Sequence, residues 1–246
     1  MFTPNRRGFL TASALGGMSA LTLAGCSKAE NDAVTHGEHG ITEDTAGLTP
    51  AQALTKLKDG NTRFVSMTET APNVSTTRLV AVSNGQKPFV GVLGCVDSRV
   101  PPELIFDRGL GDVFDARLAG AIADDAAIGS LEFGVDEFGV PLLVVLGHSR
   151  CGAVTATVKA LKSGEAHQLP GRIGSLVDPI VPAVKAVQAQ GVSDADLVNA
   201  AAREVVRRGV KALDSSPVLK DRLASGRLDI VGAFYDLDTG KVEFLA

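Results

Sequence analysis

A chain of 246 residues, 45% hydrophobic and 21% charged, with 27 Gly and 11 Pro, has the length for one sizeable α/β domain and a composition that excludes disorder and fibrous repeats. A formal net charge of −4, with no window rich in Lys or Arg, excludes general nucleic-acid binding. Three cysteines are too few for a disulfide scaffold, so each has to be read in its own context.

Residues 1–26 read as an address. Arg6 and Arg7 stand in Thr-Pro-Asn-Arg-Arg-Gly-Phe-Leu, 18 uncharged residues run from Gly8 to Gly25, and Cys26 follows Leu23-Ala24-Gly25. The pattern resembles a bacterial twin-arginine signal peptide ending in a lipoprotein cleavage box. It predicts lipidation at Cys26 and an exported protein on the extracytoplasmic side of a membrane, in the cell envelope or periplasm, held there by its lipid anchor only. A transmembrane anchor is the alternative, but the stretch is short and rich in Gly, Ala, Ser and Thr. Without Arg6 and Arg7, 22 basic residues face 28 acidic ones, a net charge of −6. The twin-arginine route carries folded proteins, often those that acquire a cofactor before export, which hints at a metal.

Residues 27–47 are polar and without apolar periodicity, as in a flexible linker; His36 and His39 there read as solvated. Order is expected from Leu48-Thr49-Pro50, where Thr49 can cap a helix whose first position is Pro50 and whose Ala53, Leu54, Leu57, Asn61 and Phe64 recur at helical spacing. Beyond it, Phe89 to Leu93, Val113 to Leu118, Leu142 to Leu146 and Ile230 to Tyr235 are predicted strands. Asp124 to Glu137, Ala153 to Lys162, Ser193 to Leu213 and Val218 to Ala224 are predicted helices. This alternation predicts an α/β fold, a mainly parallel sheet flanked by helices, with ligands gathering at the carboxyl ends of its strands. Lys241 to Leu245, after the Asp238-Thr239-Gly240 turn, predicts a closing antiparallel hairpin.

Two strand ends carry the chemistry. One reads Gly94-Cys95-Val96-Asp97-Ser98-Arg99, the other Gly147-His148-Ser149-Arg150-Cys151-Gly152. Alone, each cysteine would be a small buried hydrophobe and His148 a satisfied polar residue. Together they offer two thiolates and an imidazole, a set suited to tetrahedral zinc, with Asp97 available as a fourth ligand.

Cys95-x-Asp97-x-Arg99 followed 53 positions later by His148-x-x-Cys151 resembles the β-class carbonic anhydrases. The resemblance extends to Leu57-Lys58-Asp59-Gly60-Asn61-Thr62-Arg63-Phe64-Val65, Gly111-Asp112-Val113-Phe114 and Val231-Gly232-Ala233, so it covers residues 48–246 as one carbonic anhydrase domain. It implies one Zn2+ per chain on Cys95, His148 and Cys151, and reversible hydration of CO2 to bicarbonate and a proton by hydroxide generated on the metal. Asp97 and Arg99 are then a catalytic dyad in which Asp97, held by Arg99, accepts the hydroxide hydrogen. If that pairing breaks, Asp97 can swing onto zinc and close the site. Val92 stands where members with a pH-sensitive closed form carry tryptophan, and Gln86 where open members carry a glutamine that donates to substrate. Phe114 is implied as an apolar wall for CO2, with plain core as an equal alternative, and the Gly152 N–H as a donor to substrate oxygen. The resemblance also implies a homodimer or a higher multiple of dimers, with the helix from Ala51 to Phe64 packed across onto the partner and the active site at the interface.

Three departures stand out: Phe133 for a usual tyrosine, Arg117-Leu118-Ala119-Gly120 for an Arg-Asn-x-Ala-Asn run, and Asp115 for an apolar residue. No residue stands out as a proton shuttle; His167, in a Gly-Glu-Ala-His loop, reads as a solvated loop residue, with a shuttle role as the lesser alternative. The alternatives are a carbonyl sulfide or carbon disulfide hydrolase with the same ligands, a non-catalytic zinc- or bicarbonate-binding lipoprotein, and, least, a thiol redox protein, since Cys95 and Cys151 form no Cys-x-x-Cys pair.

Overall fold

The computed structural model describes residues 47–164 and 169–245. The signal peptide with Cys26, most of the linker, and His167 lie outside the described residues. Thr49 accepts from the Gln52 N–H and Gln52 returns a bond to the Thr49 N–H, a capping box that opens helix α1, Pro50–Ser66. Helix α2 is Thr76–Val82, strand β1 Val90–Gly94, helix α3 Pro102–Ile105 and strand β2 Val113–Arg117. A 3-10 turn at Ala119–Ala121 leads to α4, Asp125–Phe138, capped by Asp124, and then to β3, Leu142–His148. There follow α5 Gly152–Ser163, α6 Gly174–Val177, α7 Val181–Ala189, α8 Leu197–Asp214, α9 Lys220–Ala224, β4 Asp229–Tyr235 and β5 Val242–Leu245.

The five strands are ordered β2-β1-β3-β4-β5, all parallel except the β4–β5 hairpin. β1 and β3 are buried along their whole length, as continuous apolar runs must be when both faces are covered. One face packs on α1 and α3 through Ala53, Leu57, Phe89, Val144 and Phe106. The other packs on α4 and α8 through Leu131, Leu143, Val145, Val206 and Leu213. β2 is an edge strand, so Asp115 stands exposed there without a buried charge.

α1 docks one face on its own subunit. Ala53 and Leu57 are fully buried, and the Asn61 side chain donates to the carbonyls of Ile105 (3.0 Å) and Gly240 (2.9 Å) and accepts from the Val242 N–H (2.9 Å). The helix is tied to α3 and to the terminal hairpin by bonds that a domain-swapped position would have to remake elsewhere. Short helices α2, α3, α6 and α7 are additions to the predicted elements. Among the described residues no helix is long and apolar enough to cross a membrane.

Candidate metal centre

The chain leaves β1 toward β2 on one side and returns to place β3 on the other, so the topological switch lies between the carboxyl ends of β1 and β3. That crevice is where open parallel sheets bind ligands. Leu93 pairs with Val145, so Cys95, two residues past Leu93, and His148, three past Val145, emerge at the same end. Cys151 then caps the start of α5.

The donor atoms of Cys95, His148 and Cys151 all lie within 4.8 Å of one another, and all three residues are buried. His148 Nδ1 is 3.0 Å from the Ser149 carbonyl; a carbonyl only accepts, so Nδ1 carries the hydrogen and Nε2 keeps its lone pair. Nε2 is buried and has no hydrogen-bond partner among the described residues, a costly state for a polar atom unless something else engages it. The hydrogen bond from Cys151 pulls the Cys95 thiol well below its ordinary range, against burial and with help from His148. The same bond, together with burial, pushes Cys151 up. Two thiols that keep one proton between them, beside an orphaned imidazole nitrogen, are arranged to exchange that proton for a cation. Two sulfurs and a nitrogen are the donor set that three protein ligands of a catalytic zinc would supply.

Asp97 is not a member of this cluster. Arg99 holds its carboxylate through Nε at 2.9 Å, Nη2 at 2.7 Å and the backbone N–H at 3.0 Å. Of the two positions open to Asp97, the structure takes the paired one, because bidentate charge-assisted bonds fix both oxygens. Arg99 also keeps the carboxyl below its usual range, against burial. Asp97 Oδ2 stands 3.9 Å from His148 Nε2, so the held carboxylate lies beside the donor cluster.

The loop between Cys95 and Asp97 is clamped by a residue the sequence pattern left unassigned. Arg117, at the end of β2, donates through Nε to the Cys95 carbonyl (2.9 Å) and through Nη2 to the Asp97 carbonyl (2.7 Å). Gly120, at φ 79°, donates its N–H to Cys95 Sγ at 3.3 Å, and a Cβ there would come within 2.7 Å of Ile180. The available signal was a lone arginine closing a strand directly beside the site.

Gly152 follows Cys151 as the first residue of α5, exposed and with open space around it. Gln86 and Phe114 do not join the centre within one subunit. Gln86 is exposed before β1, in a groove with Val82, Leu110, Gly111 and Phe138. Phe114 pairs with Gly91, four residues short of Cys95 or about 13 Å along a strand. Its ring packs against Phe133 and Phe138. Within this subunit Phe114 packs as core, since strand register sets it too far down the sheet to line its own chain's site.

Fold and site together define an α/β-sheet enzyme with a thiolate–imidazole metal centre at the switch point of its sheet. A sequence profile described as carbonic anhydrase matches residues 90–242. The chain is 40% identical over 193 residues to carbonic anhydrase 2 of Mycobacterium tuberculosis, covering 78% of this chain and 91% of that one. It is also 40% identical over 195 residues to carbonic anhydrase of Mycolicibacterium smegmatis, covering 79% and 92%. Among solved structures it superposes on the β-carbonic anhydrase CafA of Aspergillus fumigatus with TM-score 0.62 at 26% identity, covering 79% of this chain and 89% of that one. For the Coccomyxa β-carbonic anhydrase the TM-score is 0.60 at 25% identity, with 78% and 86% covered. The chain belongs to the β-class carbonic anhydrase family, and its cofactor is zinc.

Proposed function

We propose that this protein catalyses the reversible hydration of CO2 to bicarbonate and a proton, with Cys95, His148 and Cys151 holding the zinc. The observation that carries this reading is the orphaned His148 Nε2 facing two thiols, with a held carboxylate 3.9 Å away. Zinc bound there supplies Lewis acidity that brings ionisation of water toward neutral pH. The protein's part is orientation. Asp97, acceptor-only while Arg99 holds it, would accept a hydrogen bond from a water or hydroxide at the site and so aim an oxygen lone pair at the CO2 carbon. Arg99 keeps Asp97 ionised and off the metal. The Gly152 N–H, free at the start of α5, is placed to donate to a substrate oxygen as negative charge develops there.

A homodimer is the assembly that serves this reading. Phe133 (55% exposed), Leu110 and Leu79 leave apolar surface around the groove that holds Gln86, and a second copy covering it would let Gln86 serve the partner's site rather than its own. Arg6-Arg7, the uncharged run and Cys26 support export and a lipid anchor at the cell envelope, with residues 27–47 as tether and 48–246 as the catalytic domain.

Stopped-flow CO2 hydration by zinc-loaded protein at pH 7 and pH 8.5 tests the activity. Turnover at both values is expected; full zinc with no CO2 turnover at either would overturn the reading, and carbonyl sulfide would be the next substrate to assay. Radiolabelled lipid on the wild-type chain, absent from Cys26→Ser, tests the anchor.

A further inference from the structure

Between His148 and Cys151 lies a backbone conformation that needs explaining. Arg150 has φ 53°, the left-handed region that costs an ordinary side chain energy and that Gly or Asn takes readily. A positive φ at the third residue of a four-residue turn reverses the chain tightly. Here it lets the end of β3 and the start of α5, three residues apart, present His148 and Cys151 to one point. An arginine would not hold this shape unaided, and strained non-glycine residues persist only where the surroundings enforce them.

Two distant residues enforce it. Asn199, on α8, accepts the Arg150 N–H with Oδ1 at 2.8 Å. Asp238, in the turn between β4 and β5, takes the guanidinium at both nitrogens, 2.6 and 2.8 Å. That turn is itself fixed to the metal loop, since the Leu237 N–H donates to Ser149 Oγ (2.9 Å) and the Ser149 N–H to the Tyr235 carbonyl (2.9 Å). We propose that Asn199 and Asp238 are positioning residues for the metal centre, holding Arg150 in the left-handed turn on which convergence of His148 and Cys151 depends. The inference rests on the zinc reading above. Asn199, bonded to the backbone, carries the larger share; the exposed Arg150–Asp238 pair contributes less.

The experiment measures zinc transfer from full-length, zinc-loaded protein to a chromophoric chelator. Asn199→Ala is expected to lose zinc on the order of tenfold faster, the population factor carried by an unsupported left-handed residue. Asn199→Asp, which keeps the acceptor, should match wild type, and Asp238→Asn should lie within about threefold of it. Arg150→Gly separates the mechanism from general stability, because glycine takes this conformation without help. In an Arg150→Gly background, Asn199→Ala is expected to change zinc loss by less than about twofold. An equal effect in both backgrounds, or none in either, would overturn the proposal, since the bond would then act for some other reason or not at all. A wild-type chain that retains no zinc would instead sink the site reading on which it rests.

Discussion

The two halves of the metal centre are supported in different ways. At the end of β1 the supports lie nearer in sequence: Arg99 grips Asp97 from two residues away, and Arg117 at the end of β2 and Gly120 in the turn after it reach in from the adjoining segment. At the end of β3 they come from afar, Asn199 being 49 residues and Asp238 88 residues from Arg150. All three ligands are buried, but the first half supplies one of them, Cys95, together with the Asp97–Arg99 pair, whereas the second supplies two, His148 and Cys151. The local half adds the pair that orients reactants, and the distant half contributes most of the metal's ligands. An enzyme can adjust the first without rebuilding the second.

Cys151→Ser, which removes a ligand from the distant half, is expected to abolish zinc retention and reduce CO2 hydration by at least about a thousandfold, read as zinc per chain and as turnover. Asp97→Asn attacks the orienting half. It should keep full zinc yet lower kcat/KM by about a hundredfold, so loss of zinc in this variant would merge the two halves that the geometry separates.

A third change lies outside both. Burial alone would raise the Asp107 carboxyl, but Arg63, the Thr70 N–H and hydroxyl and the Ala71 N–H overcome it and hold it low. A group depressed in the folded state stabilises fully above its unfolded value near 3.9, and that stability is lost as pH falls through the folded value. Asp107→Asn should therefore cost about 2 kcal/mol in urea unfolding at pH 7 while leaving zinc content unchanged. The gap from wild type should close as pH drops below about 4. The smallest of these effects belongs to Arg117→Gln, which releases the Cys95 and Asp97 carbonyls and should speed zinc loss about tenfold.

The strands, α1 with its cap, and the closing hairpin were legible because each follows from local pattern: apolar runs bounded by Gly and charged turns, or Thr-Pro before helical spacing. α2 was not, since Thr76–Val82 is seven residues long and buries only Arg78; nor was α7, although Ala183, Val184 and Val187 share a buried face of it. Cys95, His148, Cys151 and the Asp97–Arg99 pair stood out because reactive types cluster at two strand ends. Arg117, Asn199 and Asp238 did not, because their partners are backbone or side-chain groups that only the strand register and the packing of α8 bring near. The bonds that seat α1 on its own subunit were not legible for the same reason: Asn61 reads as an ordinary helix position until Gly240 and Val242 arrive beside it.

The central claim is a three-ligand centre with its carboxylate held aside, and a crystal structure of the zinc-loaded protein at pH 8 tests it most directly. Zinc on Cys95 Sγ, His148 Nε2 and Cys151 Sγ, with Asp97 still paired to Arg99, is the expected result. Zinc coordinated by Asp97, with Arg99 released, would contradict it.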